Sequence, residues 1–196
     1  MTRETLQQME QDIPEAAALL PPPLKIQAVG YGCTSGAAQI GPDRVAELVR
    51  HGKETSAVSD PLSALRAACQ TLGVRRLAIL SPYIESVSAR LRDVLQAGGI
   101  ETPVFGGFEE ASEEKVARIS PASLQAAGAE LAQMGDADAL LPSCTNLNTL
   151  DIIEPLEAET GRPVLSSNQV LAWHLCRLAG CPARPDAPGQ LFAHPA

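Results

Sequence analysis

The feature that most restricts the fold is a regular alternation of short apolar runs with segments of helical periodicity. The pattern predicts strands at residues 24–31, 76–81, 102–106, 138–142 and 163–166. It predicts an opening amphipathic helix that ends at Pro21, and later helices at about 61–72, 84–97, 121–134, 148–159 and 168–179. Strands separated by helical crossovers form parallel sheets that are covered on both faces. We therefore expect an α/β fold of parallel sheets flanked by helices.

The chain also contains an internal repeat. Gly32-Cys33-Thr34-Ser35 and Ser143-Cys144-Thr145-Asn146 each follow a predicted strand and precede a predicted helix. The likeness continues downstream, where Cys69 matches Cys176 at a similar offset. We therefore predict two pseudo-symmetric lobes with the functional site in the cleft between them. The first lobe comprises approximately residues 1–75 and 163–196, and the second comprises approximately residues 76–162.

Each cysteine of the repeat lies at the carboxyl end of a predicted strand, which is where open α/β sheets bind ligands. A thiol between a strand and a helix is close to backbone N–H groups and to the positive end of the helix dipole, and both favour the thiolate. We therefore expect thiol pKa values that approach neutrality, and we predict that Cys33 and Cys144 form a catalytic pair, one as thiolate and one as thiol.

Two kinds of chemistry fit such a pair. One thiolate can remove a proton from a carbon while the other thiol returns one to the opposite face. Alternatively, a thiolate can add to an activated double bond, allow rotation and leave again. Both routes place negative charge on a substrate carboxylate, and neither needs a cofactor. The predicted substrate-binding residues supply hydroxyls, an amide and backbone N–H groups near the sulfurs: they are Thr34, Ser35, Tyr83, Thr145 and Asn146.

Composition excludes several other classes. The formal net charge is −8 and no cluster of Lys and Arg is present, which argues against nucleic-acid binding. No apolar run is long enough to span a membrane and residues 1–20 do not resemble a signal peptide, so we expect a cytoplasmic protein without membrane partners. Five cysteines without an export signal indicate reduced thiols.

Other chemically suggestive residues have simpler interpretations. Cys69 and Cys176 occupy apolar helix positions, which indicates core packing. His174 and Cys176 point to different faces of a helix, so no metal site is predicted. The tail from Cys181 is rich in proline and is predicted to be irregular surface chain. An acidic run is predicted to be a solvated loop: it contains Glu109, Glu110, Glu113 and Glu114.

Residues 29–36 and 141–146, the two Cys-Thr loops, resemble the aspartate/glutamate racemase superfamily, especially maleate cis-trans isomerases and ectoine-utilisation racemase-like proteins. Residues 81–83, 118–121 and 161–169 support the resemblance. It implies a two-lobed α/β fold, frequent homo-oligomers and cofactor-independent catalysis by Cys33 and Cys144. It also implies that Thr34, Ser35, Tyr83 and Thr145 lie near substrate carboxylates.

Arylmalonate decarboxylases of this superfamily keep only the second cysteine, so the presence of both favours an isomerase or racemase. The expected substrate is a small carboxylate, either maleate-like or an aspartate- or glutamate-like amino acid or derivative. Two alternatives stay open: an arylmalonate-type decarboxylase and a non-catalytic carboxylate-binding protein. The chain departs from maleate isomerases at Ala111-Ser112-Glu113, where they tend to have an asparagine.

Overall fold

The structure is a computed structural model that describes residues 3–21, 25–182 and 186–194. Its strands are β1 Ile26–Gly30, β2 Thr55–Ser59, β3 Arg76–Ser81, β4 Glu101–Gly107 and β5 Ala139–Pro142. Its first five helices are α1 Arg3–Ala18, α2 Thr34–Ile40, α3 Pro42–Gly52, α4 Pro61–Leu72 and α5 Glu85–Ala97. They are followed by α6 Glu113–Val116, α7 Pro121–Gln133, α8 Ile153–Thr160 and α9 Ser167–Leu178. Short 3₁₀ turns cover Leu150–Ile152 and Gln190–Ala193.

The strands form two parallel sheets. β1 pairs with β2, and a second sheet has the order β4-β3-β5. The predicted α/β fold of parallel sheets flanked by helices is therefore confirmed. The two sheets fall within the ranges predicted for separate lobes, while the limits of the lobes stay a prediction. Residue 24, where the first strand was predicted to begin, lies outside the described residues.

Two details of the strand prediction are wrong. β2 was not predicted, because its sequence TSAVS is mostly polar or small and most of its side chains are only partly buried. The predicted strand at 163–166 is reduced to a single parallel bridge between Val164 and Leu140. A short strand with little apolar surface, such as β2, gives weak periodicity. At 163–166 the side chains of Val164 and Leu165 are fully buried, but tertiary pairing with β5 is limited to one residue pair.

β3 lies at the centre of the core, and its alternate residues pack on opposite faces. Leu77 and Ile79 belong to one apolar cluster, which includes Trp173 of α9. Ala78 and Leu80 belong to the other cluster. Because side chains cover both faces of this sheet, the sequence of β3 is a nearly continuous apolar run. None of the helices in the described ranges is long and apolar enough to cross a membrane.

Residues 186–194 are more ordered than predicted. Leu191 is fully buried in the main core cluster, within the 3₁₀ turn at 190–193. The turn is attached to α8 and α9, since Gln190 N donates to Glu157 Oε2 at 2.8 Å and Gln169 Nε2 donates to the Pro188 carbonyl at 2.9 Å. The prediction of irregular surface chain is therefore wrong for residues 186–194, because one apolar side chain anchors them.

Candidate active site

The two cysteine loops of the repeat meet in space. Cys33 follows β1 and caps the N-terminus of α2, and Cys144 follows β5. Thr145 Oγ1 donates a hydrogen bond to the Gly32 carbonyl at 2.8 Å. Asn168 Nδ2 at the start of α9 donates to the Thr145 carbonyl at 2.9 Å. Two strand ends from different sheets thus converge, as the repeat predicted, and one helix start supports the contact.

Cys33 is half-buried, and the Gly36 N–H donates a hydrogen bond to its Sγ at 3.3 Å. The Ser35 N–H and the Tyr31 hydroxyl lie close enough to lower the pKa of the thiol, although the Tyr31 hydroxyl donates its hydrogen bond to Met9 Sδ at 3.4 Å. Burial nevertheless raises the pKa of the Cys33 thiol, because these donors only partly replace water around a charged sulfur. The negative charge of Glu113 raises this pKa further.

Cys144 is 5% exposed and has an equivalent set of partners. Its Sγ lies 3.1 Å from the Tyr83 hydroxyl, and Asn146 N donates to it at 3.2 Å. Burial raises the pKa of the Cys144 thiol, while the bonds from Tyr83 and Asn146 lower it. The charges of Glu113 and Cys33 raise it again, so the two thiols interact electrostatically. Each cysteine is therefore paired with one tyrosine and at least one backbone donor.

The expectation of thiol pKa values near neutrality is wrong for both cysteines. Burial is the largest cause of the shift at each site, and it disfavours the charged form. The helix-dipole argument also fails at Cys144, since a turn rather than an α-helix follows it and the next helical residues begin at Leu150. The amino-acid pattern shows the loop position but not the degree of burial.

Glu113 is a site residue that the sequence interpretation missed. Its Oε2 accepts hydrogen bonds from the Tyr83 hydroxyl at 3.1 Å and from Asn146 Nδ2 at 3.2 Å. Asn146 Nδ2 also donates to the Glu113 backbone carbonyl at 3.0 Å. The prediction of a solvated acidic loop is therefore wrong for this residue, although Glu109 and Glu114 are exposed. The departure from the maleate isomerase pattern at 111–113 was the available signal.

The remaining predicted substrate-binding residues lie next to the cysteines along the chain, but the hydroxyls of two of them hold parts of the fold together. Thr34 is buried and its Oγ1 donates to Ser167 Oγ at 2.9 Å. The Thr145 hydroxyl donates its hydrogen bond to the Gly32 carbonyl, as described above. Tyr31 was not predicted as a site residue, although it lies two positions before Cys33 at the end of β1. Its proximity to the thiol depends on the turn that follows the strand.

A cavity of about 410 Å³ lies beside Cys33, between α1 and β1. Its lining is mostly apolar and includes Met9, Ile13, Leu20, Val29, Tyr31 and Cys33. The described residues contain no group of three or more His, Cys, Asp or Glu side chains that can hold a metal ion. His174 instead pairs through Nδ1 with Ser59 Oγ at 2.8 Å.

These features define an α/β protein with two cysteine loops brought together from two parallel sheets. The sequence profile described as arylmalonate decarboxylase (Amdase) matches residues 1–192, so the chain belongs to the arylmalonate decarboxylase family. The predicted membership of the aspartate/glutamate racemase superfamily, with likeness to maleate isomerases, is confirmed by this match and by the relatives that follow.

The arylmalonate decarboxylase of Bordetella bronchiseptica is 36% identical over 134 residues, which cover 67% of this chain and 54% of that protein. A maleate isomerase of Nocardia farcinica is 28% identical over 149 residues, covering 76% of this chain and 59% of that protein. A maleate isomerase of Pseudomonas putida KT2440 is 24% identical over 172 residues, covering 84% and 68%. The match thus spans little more than half the length of the first and second of these relatives.

Solved structures show the same fold. The maleate isomerase Iso from Pseudomonas putida S16 superimposes with a TM-score of 0.88 at 24% identity, over 98% of this chain and 80% of that chain. A double mutant of arylmalonate decarboxylase in the liganded form gives a TM-score of 0.86 at 28% identity, over 97% and 83%.

Proposed function

We propose that this protein is a cofactor-independent isomerase of a small carboxylate that uses Cys33 and Cys144 as its reacting groups. One observation carries the proposal: each thiol accepts a backbone N–H hydrogen bond and lies beside a tyrosine hydroxyl. Curated relatives named maleate isomerase support it. The presence of a cysteine in both loops also favours an isomerase, because the arylmalonate decarboxylases that this chain resembles keep only the second cysteine.

In the proton-transfer route, one thiolate takes a proton from the substrate carbon and the bond electrons move into the adjacent carboxylate. The thiol on the opposite side then donates its proton to the same carbon. The enzyme ends with the charge and the proton exchanged between Cys33 and Cys144, and no oxidant or cofactor is consumed. Such exchange requires two groups of similar pKa, and the two thiols have similar surroundings.

In the addition route, a thiolate forms an S–C bond with one carbon of an activated double bond. The π electrons move into the conjugated carboxylate, so the former double bond can rotate. Reversal of the same electron movement expels the thiolate and restores the double bond. The other thiol is not consumed in this route; it donates a hydrogen bond to the charged adduct, so this route also needs both cysteines.

The tyrosines serve both routes by stabilising a thiolate when it forms. Burial and the neighbouring sulfur raise the pKa of Tyr31 and of Tyr83 above the usual range, so both phenols keep their protons at neutral pH. A phenol that stays protonated donates a hydrogen bond to a charged sulfur, which is stronger than a bond between neutral groups.

Decarboxylation is the second candidate, and the 36% identity to an arylmalonate decarboxylase favours it. In that reaction a substituted malonate loses carbon dioxide, its electron pair forms an enediolate, and a single thiol returns a proton to the carbon. Cys144 has the hydrogen-bond partners needed for that step.

The test is to incubate the full chain in deuterated water with maleate, aspartate, glutamate, acetylated diaminobutyrate and phenylmalonate, and to follow products by proton NMR. Deuterium at the α-carbon with loss of optical activity indicates racemisation, and fumarate without deuterium indicates the addition route. Carbon dioxide release from phenylmalonate indicates the decarboxylase.

We expect Cys33→Ala and Cys144→Ala to abolish isomerisation and Cys181→Ala, at an exposed thiol, to leave it unchanged. Isomerisation that survives either of the first two substitutions contradicts the proposal.

A further inference from the structure

We propose that Glu113 determines which substrates this site accepts, by excluding a second carboxylate beside Cys144 and favouring an ammonium or other hydrogen-bond-donating group there. The inference rests on the proposed function, because it concerns the substrate of the same two-cysteine site. It follows from where the Glu113 carboxylate is held and from what its charge acts on.

The carboxylate is held next to the reacting sulfur. Glu113 Oε2 and Cys144 Sγ each lie 3.1 Å from the Tyr83 hydroxyl, so the carboxylate is within two hydrogen-bond lengths of the thiol. Asn146 holds both the side chain and the backbone carbonyl of Glu113 through one amide group. Asn146 is also the residue whose N–H donates to Cys144 Sγ. The same two residues that support the sulfur therefore position the carboxylate.

The neighbouring acidic residues are placed differently. Glu114 is largely exposed and pairs with Arg118 on the same turn. Glu110 accepts hydrogen bonds from the Ala111 and Ser112 N–H groups and pairs with Lys115. Glu113 thus differs from the rest of the acidic run in contacting the site.

The charge of Glu113 acts on both loops. It raises the pKa of Cys33, of Cys144 and of Tyr83, which belong to different segments of the chain. A dicarboxylate would therefore bring its second negative charge toward an existing one, while an ammonium group would be attracted to it. In a partly buried site this difference corresponds to about tenfold or more in affinity.

A matched set of ligands tests the charge directly. Propionate, alanine and methylmalonate carry a hydrogen, an ammonium group and a carboxylate at the same position of the same carbon. Their dissociation constants are measured by NMR titration of the full chain carrying Cys144→Ser, which prevents turnover, with and without Glu113→Gln. Glu113→Asp retains the charge, and Glu114→Gln removes a nearby charge that does not contact the site. The pH profile of Cys33 alkylation in the same variants measures how the charge of Glu113 affects the pKa of Cys33.

We expect Glu113→Gln to raise the affinity for methylmalonate relative to alanine by about tenfold or more. It should also shift the alkylation profile of Cys33 to lower pH, because a negative neighbour is removed. Glu114→Gln should change neither quantity, and Glu113→Asp, which keeps the negative charge, should keep the preference for alanine over methylmalonate. The proposal is overturned if Glu113→Gln leaves the affinity ratio within about twofold of its parent. It is also overturned if the parent prefers methylmalonate to alanine. Both outcomes concern binding alone, so they are distinct from a failure of the proposed isomerase to turn over any substrate.

Discussion

The hydroxyl oxygen of Tyr83 lies 3.1 Å from Cys144 Sγ and 3.1 Å from Glu113 Oε2. A phenol has one proton, and a carboxylate can only accept. When Cys144 is a thiol, its S–H can donate to Tyr83 while Tyr83 donates to Glu113. When Cys144 is a thiolate, the phenolic proton is shared between two anions. The hydroxyl therefore links the ionisation of Cys144 to the charge of Glu113.

Replacing this hydroxyl tests the link. Tyr83→Phe removes a donor to the thiolate, so we expect the pKa of Cys144 to rise further. A hydrogen bond to a charged group contributes about 1.5–3 kcal/mol, so kcat should fall by about 10- to 100-fold. Steady-state kinetics and the pH profile of Cys144 alkylation measure the two effects. Tyr31→Phe is the matched control, and it should shift the profile of Cys33. An unaltered Cys144 profile in Tyr83→Phe would argue against the hydrogen bond.

Four of the five thiols should react with iodoacetamide in an order that follows exposure and pKa. Cys181 is exposed and should be modified first at neutral pH. Cys33 and Cys144 have raised pKa values, so their thiolate fraction at pH 7 falls below the few per cent of an ordinary cysteine and rises with pH. Cys69 is 2% exposed with its pKa raised to about 12, so it should stay unmodified while the chain is folded. Peptide mass spectrometry after short pulses gives the rates. Equal rates for Cys144 and Cys181 at neutral pH would contradict the pKa shift.

Gly36 leaves space that the Cys33 site needs. A Cβ atom at this position would collide with the Tyr31 hydroxyl and lie 3.1 Å from Cys33 Sγ. We therefore expect Gly36→Ala to displace Tyr31, to cost about 1–3 kcal/mol of stability and to lower turnover strongly. Urea unfolding and kinetics measure these effects. For stability the control is Gly32→Ala, where a Cβ would meet nothing within 4 Å. A fully active Gly36→Ala variant would show that the Tyr31 contact is dispensable.

The tail beyond Cys181 should contribute measurably to stability. Leu191 is fully buried, and replacing a buried leucine with alanine removes transfer free energy and leaves a cavity. We expect Leu191→Ala to lower the free energy of unfolding by about 2–5 kcal/mol. Leu178→Ala, at a side chain that is 39% exposed, is the control and should cost much less. Similar midpoints of urea unfolding for the two variants would mean that the tail is not packed as described.

The elements predicted best are those whose own residues give strong local signals. β3 matches its predicted span because both of its faces are buried and every position but the first is fully enclosed. α4 matches because Asp60 caps it, Pro61 occupies its first turn and Gly73 ends it in a left-handed conformation. β2 was missed because its residues are mostly polar or small. The 163–166 segment was predicted as a strand because Val164 and Leu165 are apolar, but it pairs with β5 at one bridge only.

The sequence by itself determined most of the order of strands and helices, the repeat and the two cysteine loops, because periodicity and turn residues are local properties. Only the tertiary structure decided the ionisation of the thiols and the membership of the site. Tyr31 and Glu113 act on the sulfurs through distance and burial, and Glu113 comes from a segment well separated along the chain from both cysteines. Desolvation and Coulomb interactions depend on such approaches in space. Residue types along the chain therefore indicated where the candidate site lies, and packing set the charge around its thiols.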